Sequence, residues 1–304
     1  MIKKYELANK QLAESKDYAD FTYIINPTRT EIGEVATRYQ FPFDYIAGIL
    51  DDDENARFET DDNGNILLLL QYPLAENGSI EVFPFSLIVN AKENAVILSL
   101  NHECNLDNLF ARTFETARYQ HEIIYQVMNV MARSFNQYLS QYKKRMRSIE
   151  EDLKYSQENA QIMEIIRSQK SLIYFEAALD DNIAVYQKFM TYLRDQDENG
   201  FSDKIFDVYI ESTQALTTTE IQLKLLENLS DLFSNIVSNN LNIIMKIMTS
   251  ATFVMTIPAI IAGLYGMNVK LPFQSWPHAF WFILAITLLI STVVFRVMLR
   301  KRMF

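Results

Sequence analysis

The spacing of apolar positions divides this chain into three stretches. From residue 18 to about 100, short apolar or β-branched runs at 21–25, 66–71, 80–89 and 95–100 are bounded by Asn, Gly, Pro and Asp, which predicts strands. Thr30 followed by Glu34, Val35 and Arg38 predicts a capped helix after the first strand, and 42–50 predicts a second short one. From Leu106 onward the period changes. No Gly or Pro occurs between Leu106 and Asn199, and Ile123, Val127, Val130, Met131, Phe135, Tyr138, Leu139 and Tyr142 recur at helical spacing. A second helical stretch carries Ile162, Ile165, Ile166, Leu172, Ile173, Phe175, Leu179, Ile183 and Tyr186, and the cluster at 195–200 reads as a turn.

Helical character resumes after Ser202 and meets no proline until Pro258, with Leu216, Leu223, Leu226, Phe233, Val237, Leu241 and Ile244 marking its stripe. A single helix from Ser202 to Gly266 spans on the order of 95 Å at 1.5 Å per residue. A lone helix of that length needs its stripe covered by neighbours, copies of itself included. The third stretch is apolar almost throughout. Between Lys246 and Arg296 the one permanently charged side chain is Lys270, which separates apolar runs at 247–264 and 279–295. Each approaches the roughly 20 residues that cross a bilayer as a helix. The link at 269–278, with Pro272, Trp276 and Pro277, reads as a re-entry turn at an interface. A membrane hairpin with the rest of the chain outside the bilayer is expected.

Flanking charge orients that hairpin. Lys246 precedes the first span, and Arg296, Arg300, Lys301 and Arg302 follow the second, so both termini are expected in the cytoplasm. The start, Met1-Ile2-Lys3-Lys4-Tyr5-Glu6, lacks the apolar core of a signal peptide. A net charge of −10 argues against a nucleic-acid partner and mildly favours a cationic ligand. The single Cys104 excludes an intramolecular disulfide framework. The expected order is an α+β cytoplasmic domain, then long helices and two C-terminal transmembrane helices. It divides as an N-terminal α/β domain (1–105), a helical stalk (106–242), a first span (243–268), an outer loop (269–278), a second span (279–299) and a basic tail (300–304).

The tripeptide Gly266-Met267-Asn268, preceded by Tyr265, closes the first of the two spans. Together with Pro258 inside that span, Asn242 near its start and the basic tail, it resembles the CorA family of divalent-cation channels across essentially the whole chain. The resemblance implies a funnel-shaped homopentamer in a bacterial plasma (inner) membrane, with the first span of each subunit lining the pore. It implies a selectivity filter at Gly266, Met267 and Asn268, and it turns Asn242, Met245, Met248, Thr252, Thr256 and Ala259 toward the axis.

The chemistry of such a filter is intelligible without the resemblance. Mg²⁺ sheds its waters reluctantly, so neutral amide oxygens from Asn268 can recognise the hydrated ion without trapping it. Met245 and Met248 make an apolar constriction suited to gating by dewetting, unless they serve only in helix packing. No P-loop is visible and no acid lies inside either span. Passive influx driven by the membrane potential, about 4.6 kcal/mol per 100 mV for a divalent ion, is therefore expected.

The resemblance further implies closure by intracellular Mg²⁺ bound between subunits. Asp207, in Phe206-Asp207-Val208-Tyr209, matches the helical carboxylate, with Glu76 from a neighbour as its partner and Asp231 as a further candidate nearer the membrane. A solvated Asp207 with no such role is the alternative. The link here carries no carboxylate, unlike many relatives, which weakens any electrostatic capture outside and leaves ion preference open. Mg²⁺ is thus the expected transported and regulatory ion, with Co²⁺ and Ni²⁺ possible substrates and no organic cofactor. A ZntB-like Zn²⁺ transporter and a non-conducting membrane-tethered scaffold are the alternatives. An enzyme is not expected, since no nucleophile–base constellation emerges.

Other clusters carry less. Asp51-Asp52-Asp53-Glu54 and Asp61-Asp62-Asn63-Gly64 lack the final glutamate of a Ca²⁺ loop and read as solvated turns. His102 and Cys104 have no second pair of zinc ligands nearby. Lys143, Lys144, Arg145 and Arg147 form a charged helix face, and His121 is structural.

Overall fold

The computed structural model describes residues 1–15, 19–76, 79–104, 106, 114, 119–152, 159–273 and 275–300. Parts of the expected stalk, Gln274 of the link, and Lys301 and Arg302 of the basic tail lie outside these residues. Two compact units are formed, Met1–Leu229 and Ser230–Phe304.

The first unit is built on a seven-stranded sheet in the order β2-β1-β3-β7-β6-β5-β4. Its strands are β1 (Ile2–Ala8), β2 (Gln11–Ser15), β3 (Phe21–Ile25), β4 (Arg57–Thr60), β5 (Ile66–Glu76), β6 (Ser79–Asn90) and β7 (Ala95–Leu100). Only the β3–β7 pair is parallel. The β1–β2 hairpin turns on Asn9 and Lys10, both at positive φ (51° and 64°), as a two-residue turn of the favoured hand requires. Sequence patterning passed over this hairpin and β4. The turn lacks glycine, and neither β1 nor β4 contains a fully buried residue.

Both faces of the sheet are covered. Leu68, Leu70, Leu87, Val96 and Leu98 pack under α3 (Tyr119–Asp152), α4 (Asn159–Asp195) and the start of α5 (Asn199–Tyr265), with Ile123, Val127, Phe189, Leu193 and Ile205 opposite them. Leu67, Leu69, Ile88 and Ile97 meet Ile32, Val35, Tyr39, Tyr45 and Ile46 from α1 (Arg29–Tyr39) and α2 (Asp44–Ala47). Burial on both sides is why 66–71 is a continuous apolar run rather than an alternating one. The α1 cap is Thr28, not Thr30. Its hydroxyl accepts from the Glu31 N–H, and the Glu31 carboxylate accepts from the Thr28 N–H, a reciprocal capping box. Those bonds hold the Glu31 carboxyl below the usual range.

The sheet is tied to α4 by Asn182. Its buried amide accepts from the Gln71 N–H at 2.9 Å and donates to the Gln71 carbonyl at 2.8 Å. Pairing of β4 with β5 ends at Arg57 and Leu69, so Asn182 satisfies strand groups just beyond the end of that ladder.

The second unit contains the C-terminal half of α5, the link and α6 (Ala279–Arg300). Helix α5 runs 67 residues without interruption and contains Pro258. Its apolar segment and α6 are each long and apolar enough to cross a membrane, with mean hydropathies of 1.8 and 2.4. Both remain almost wholly exposed within one chain. Among the described residues of this unit, Ser250, Thr287, Ser291 and Met298 are buried. Small polar side chains of this kind permit close approach of apolar helices.

Candidate functional site

Asn242, Met245, Met248, Thr252, Thr256 and Ala259 all lie on α5. At 3.6 residues per turn they fall within an arc of roughly 120°. Every one is exposed in the single chain, Met245 at 65% and Met248 at 66%. Apolar surface on this scale requires lipid or other copies of the helix to cover it.

The two threonines on this face act in series. Thr252 donates its hydroxyl proton to the Met248 carbonyl at 2.8 Å, and Thr256 donates to the Thr252 carbonyl at 2.7 Å. A hydroxyl that has given its proton to the backbone retains only acceptor lone pairs. The face therefore presents oxygen acceptors one turn apart between apolar neighbours. Such acceptors suit the outward-pointing protons of a hydrated cation and carry no charge to hold it. Pro258, between Thr256 and Gly266, has no N–H to give the Val254 carbonyl and so breaks the ladder at that point.

The helix ends at Tyr265, and the tripeptide Gly266-Met267-Asn268 follows at its terminal turn. Gly266 N–H still reaches the Ala262 carbonyl at 2.9 Å, whereas Met267 N–H turns to Leu264 at 3.3 Å, a tightening typical of helix ends. Gly266 does not have positive φ. Its lack of a side chain matters for space, because a Cβ there would lie 3.3 Å from the Ala262 carbonyl oxygen. Met267 and Asn268 follow, both exposed.

The link is folded on itself. Tyr265 donates its hydroxyl to the Pro272 carbonyl at 3.3 Å, and Trp276 N–H donates to Phe273 at 2.9 Å. Phe273, Trp276 and Phe282 form a ring cluster with centroids 5.3 to 6.4 Å apart. Aromatic side chains of this kind anchor hairpins at the membrane–water boundary.

The expected regulatory acids are dispersed. Asp207 is exposed on α5 in the first unit, and Asp231 is exposed on α5 in the second. Glu76, at the end of β5, does not meet Asp207 but faces His102, its Oε2 lying 3.4 Å from Nδ1. Asp52 Oδ1 lies 3.1 Å from Nε2 of the same ring, which stacks on Phe83 with centroids 3.8 Å apart. Tyr72 donates its hydroxyl to the His102 carbonyl. Nothing local in the sequence signals this bracketed histidine, since its partners lie on separate elements. Cys104 gives no ligand beside it: burial pushes its thiol up to about 12, so the sulfur stays protonated.

The clusters that read as solvated turns are turns. Asp61 Oδ1 accepts from the N–H groups of Asn63 and Asn65, and Gly64 takes φ +81°. Among the described residues, no three His, Cys, Asp or Glu side chains converge on a metal-sized position.

Comparison with known proteins follows the same outline. Residues 19–302 match the model of the family described as CorA-like Mg²⁺ transporter protein. A cobalt/magnesium transport protein CorA of Methanocaldococcus jannaschii is 24% identical over 176 residues, covering 56% of this chain and 54% of that protein. A magnesium transport protein CorA of Helicobacter pylori strain 26695 is 26% identical over 174 residues, covering 49% and 54%. The chain thus aligns with about half the length of these curated relatives. The complete structure of the CorA magnesium transporter from Methanocaldococcus jannaschii superposes with a TM-score of 0.83 at 19% identity, covering 98% of this chain and 96% of that one. That likeness concerns the fold: a sheet-bearing α+β unit, long helices and two apolar C-terminal helices. With the family model spanning nearly all of its length, this chain belongs to the CorA family.

Proposed function

We propose that the chain is one subunit of a homopentameric channel that admits hydrated Mg²⁺, and with it Co²⁺ and Ni²⁺, down the membrane potential. Five copies of α5 line the conduction path through Asn242, Met245, Met248, Thr252, Thr256 and Ala259. Gly266, Met267 and Asn268 form the filter at its outer mouth. The single observation that carries this reading is the Thr252–Thr256 series of acceptor oxygens on an apolar helix that ends at the Gly266-Met267-Asn268 turn. The choice of Mg²⁺ and Co²⁺ follows the names of the relatives, which specify magnesium and, in one case, cobalt, and Ni²⁺ is added as a divalent ion of similar size.

Mg²⁺ on the cytoplasmic side closes the channel by bridging carboxylates of adjacent subunits. Asp207 is the first of these, Glu76 its partner across the subunit boundary, and Asp231 a site nearer the bilayer. An ion that bridges two subunits stabilises only the arrangement that brings its ligands together. The engagement of Glu76 with His102 adds a condition, because a bridging ion has to draw the carboxylate away from the imidazole. The sheet-bearing part (1–105) and the helical part (106–242) stand in the cytoplasm, as do both termini.

The test is ion flux into liposomes holding the purified protein, with Mg²⁺, Co²⁺, Ni²⁺ and Zn²⁺ offered separately under an imposed potential. Mg²⁺ uptake that scales with the potential is expected. Zn²⁺ uptake without Mg²⁺ uptake would replace the proposed substrate, and no flux of any ion would leave the scaffold reading.

A further inference from the structure

A groove in the first unit runs between β6 and α4, in two adjoining parts of ≈ 290 and ≈ 320 Å³. In the first part Arg167, Lys170, Ser171 and Tyr174 stand one turn apart along a single face of α4, opposite Ser79 and Glu81 of β6. Neither Arg167 nor Lys170 enters an ion pair among the described residues. The Lys170 ammonium lies 5.6 Å from the Tyr174 ring centroid. Glu81 is occupied on the strand side, where its carboxylate lies 3.1 Å from the Ser79 hydroxyl. Ser171 lies buried at the floor.

Arg167 and Lys170 face one concavity whose first part holds, among the described residues, a single carboxylate, Glu81, so that part is locally positive on a chain at −10. We propose that this groove binds a soluble phosphomonoester, its phosphate held by Arg167 and Lys170 and its remainder directed along the second part. A guanidinium and an ammonium together carry two positive charges, which a phosphate dianion matches and a single carboxylate does not, and the guanidinium fork fits two phosphate oxygens at once. The second part decides what the remainder is. Asp52, Asp53, Glu81 and Asp181 line it with Lys170 as the one cation among the described residues, and this excess of carboxylates repels another anionic group. The remainder is therefore neutral or cationic, and a diphosphate is disfavoured.

The experiment is calorimetric titration of the full chain in phosphatidylcholine nanodiscs with phosphoethanolamine, and separately with pyrophosphate. Saturable binding of phosphoethanolamine is expected, with pyrophosphate at least tenfold weaker. The R167Q/K170Q double variant should lose at least tenfold for phosphoethanolamine while keeping the wild-type melting temperature, both side chains being exposed. D181N should narrow the gap between the two ligands. No saturable binding of phosphoethanolamine, unchanged binding in the double variant, or tighter pyrophosphate in the wild type would overturn the proposal. Discs doped with phosphatidic acid should leave the titration as it was. Its loss there would make a lipid headgroup the occupant and overturn the soluble ligand.

Discussion

Thr256 gives its hydroxyl proton to the carbonyl of Thr252 at 2.7 Å, and Thr252 does the same to Met248 one turn earlier. Both oxygens are thereby left as acceptors on one face of the helix, beside the Met245 and Met248 thioethers, the Ala259 methyl and the Asn242 amide. Replacing Thr256 by Val keeps the shape and removes the oxygen. The T256V variant is expected to assemble as the wild type does and to conduct Mg²⁺ several-fold more slowly, as read by a Mg²⁺-sensitive dye inside liposomes. Two or three kilocalories per mole are not at stake here, since a net hydrogen bond of this kind is worth about 1 kcal/mol. Wild-type flux in T256V would remove the acceptor series from the conduction path.

Gly266 closes the helix with its N–H on Ala262, where a Cβ would come to 3.3 Å from a carbonyl oxygen. G266A is expected to lower flux more than T256V does, because the terminal turn that carries Asn268 has to shift. Asn268→Ala removes the amide itself and is expected to abolish Mg²⁺ uptake with the oligomer intact, checked by size on native gels. Uptake at the wild-type rate in N268A would refute the filter.

Asn182 satisfies both backbone groups of Gln71 at the point where β4 no longer pairs with β5. Asn182→Ala leaves a buried N–H and a buried C=O without partners, each costing about 1–3 kcal/mol. A lowered melting temperature is expected, with N182D keeping only the acceptor for the Gln71 N–H and setting an oxygen against the Gln71 carbonyl, and N182L no better than alanine. Equal melting of N182A and wild type would mean that water replaces the amide.

Asp207 is exposed on α5, which leaves its carboxylate accessible for the proposed bridge to another subunit. Asp207→Ala is expected to raise the Mg²⁺ concentration that half-protects the chain from trypsin at least twofold. H102A, which frees Glu76, is expected to lower it. If neither variant moves that concentration, the closing ion binds elsewhere.

Much of this architecture can be read in the chain because strong patterns repeat. The uninterrupted run of helix formers from Ser202, the two apolar spans and the prolines of the link leave few alternatives for the C-terminal third. The doubly buried leucines of β5 do the same for the sheet centre. The edge hairpin was harder to read, because Asn9-Lys10 adopts positive φ without glycine and its strands stay half-exposed. The α1 cap, Thr28, lies two residues before the Thr30 expected from the pattern, although the Thr28-x-x-Glu31 spacing is itself that of a capping box. At the candidate site, the arc on α5 follows from helical periodicity, but the hydroxyl directions do not. The Asn182–Gln71 pair and the Asp52–His102–Glu76 cluster join residues far apart in sequence, and only the packing of α4 and the loops on the sheet brings them together.

The most direct measurement is thiol modification of single-cysteine variants in a Cys104→Ser background, with flux as the readout. At Thr252→Cys, on the proposed pore face, a water-soluble thiosulfonate should block Mg²⁺ uptake, whereas at Val254→Cys, on the opposite side of the same helix, it should not. Block at 254 with none at 252 would contradict a path lined by this face of α5.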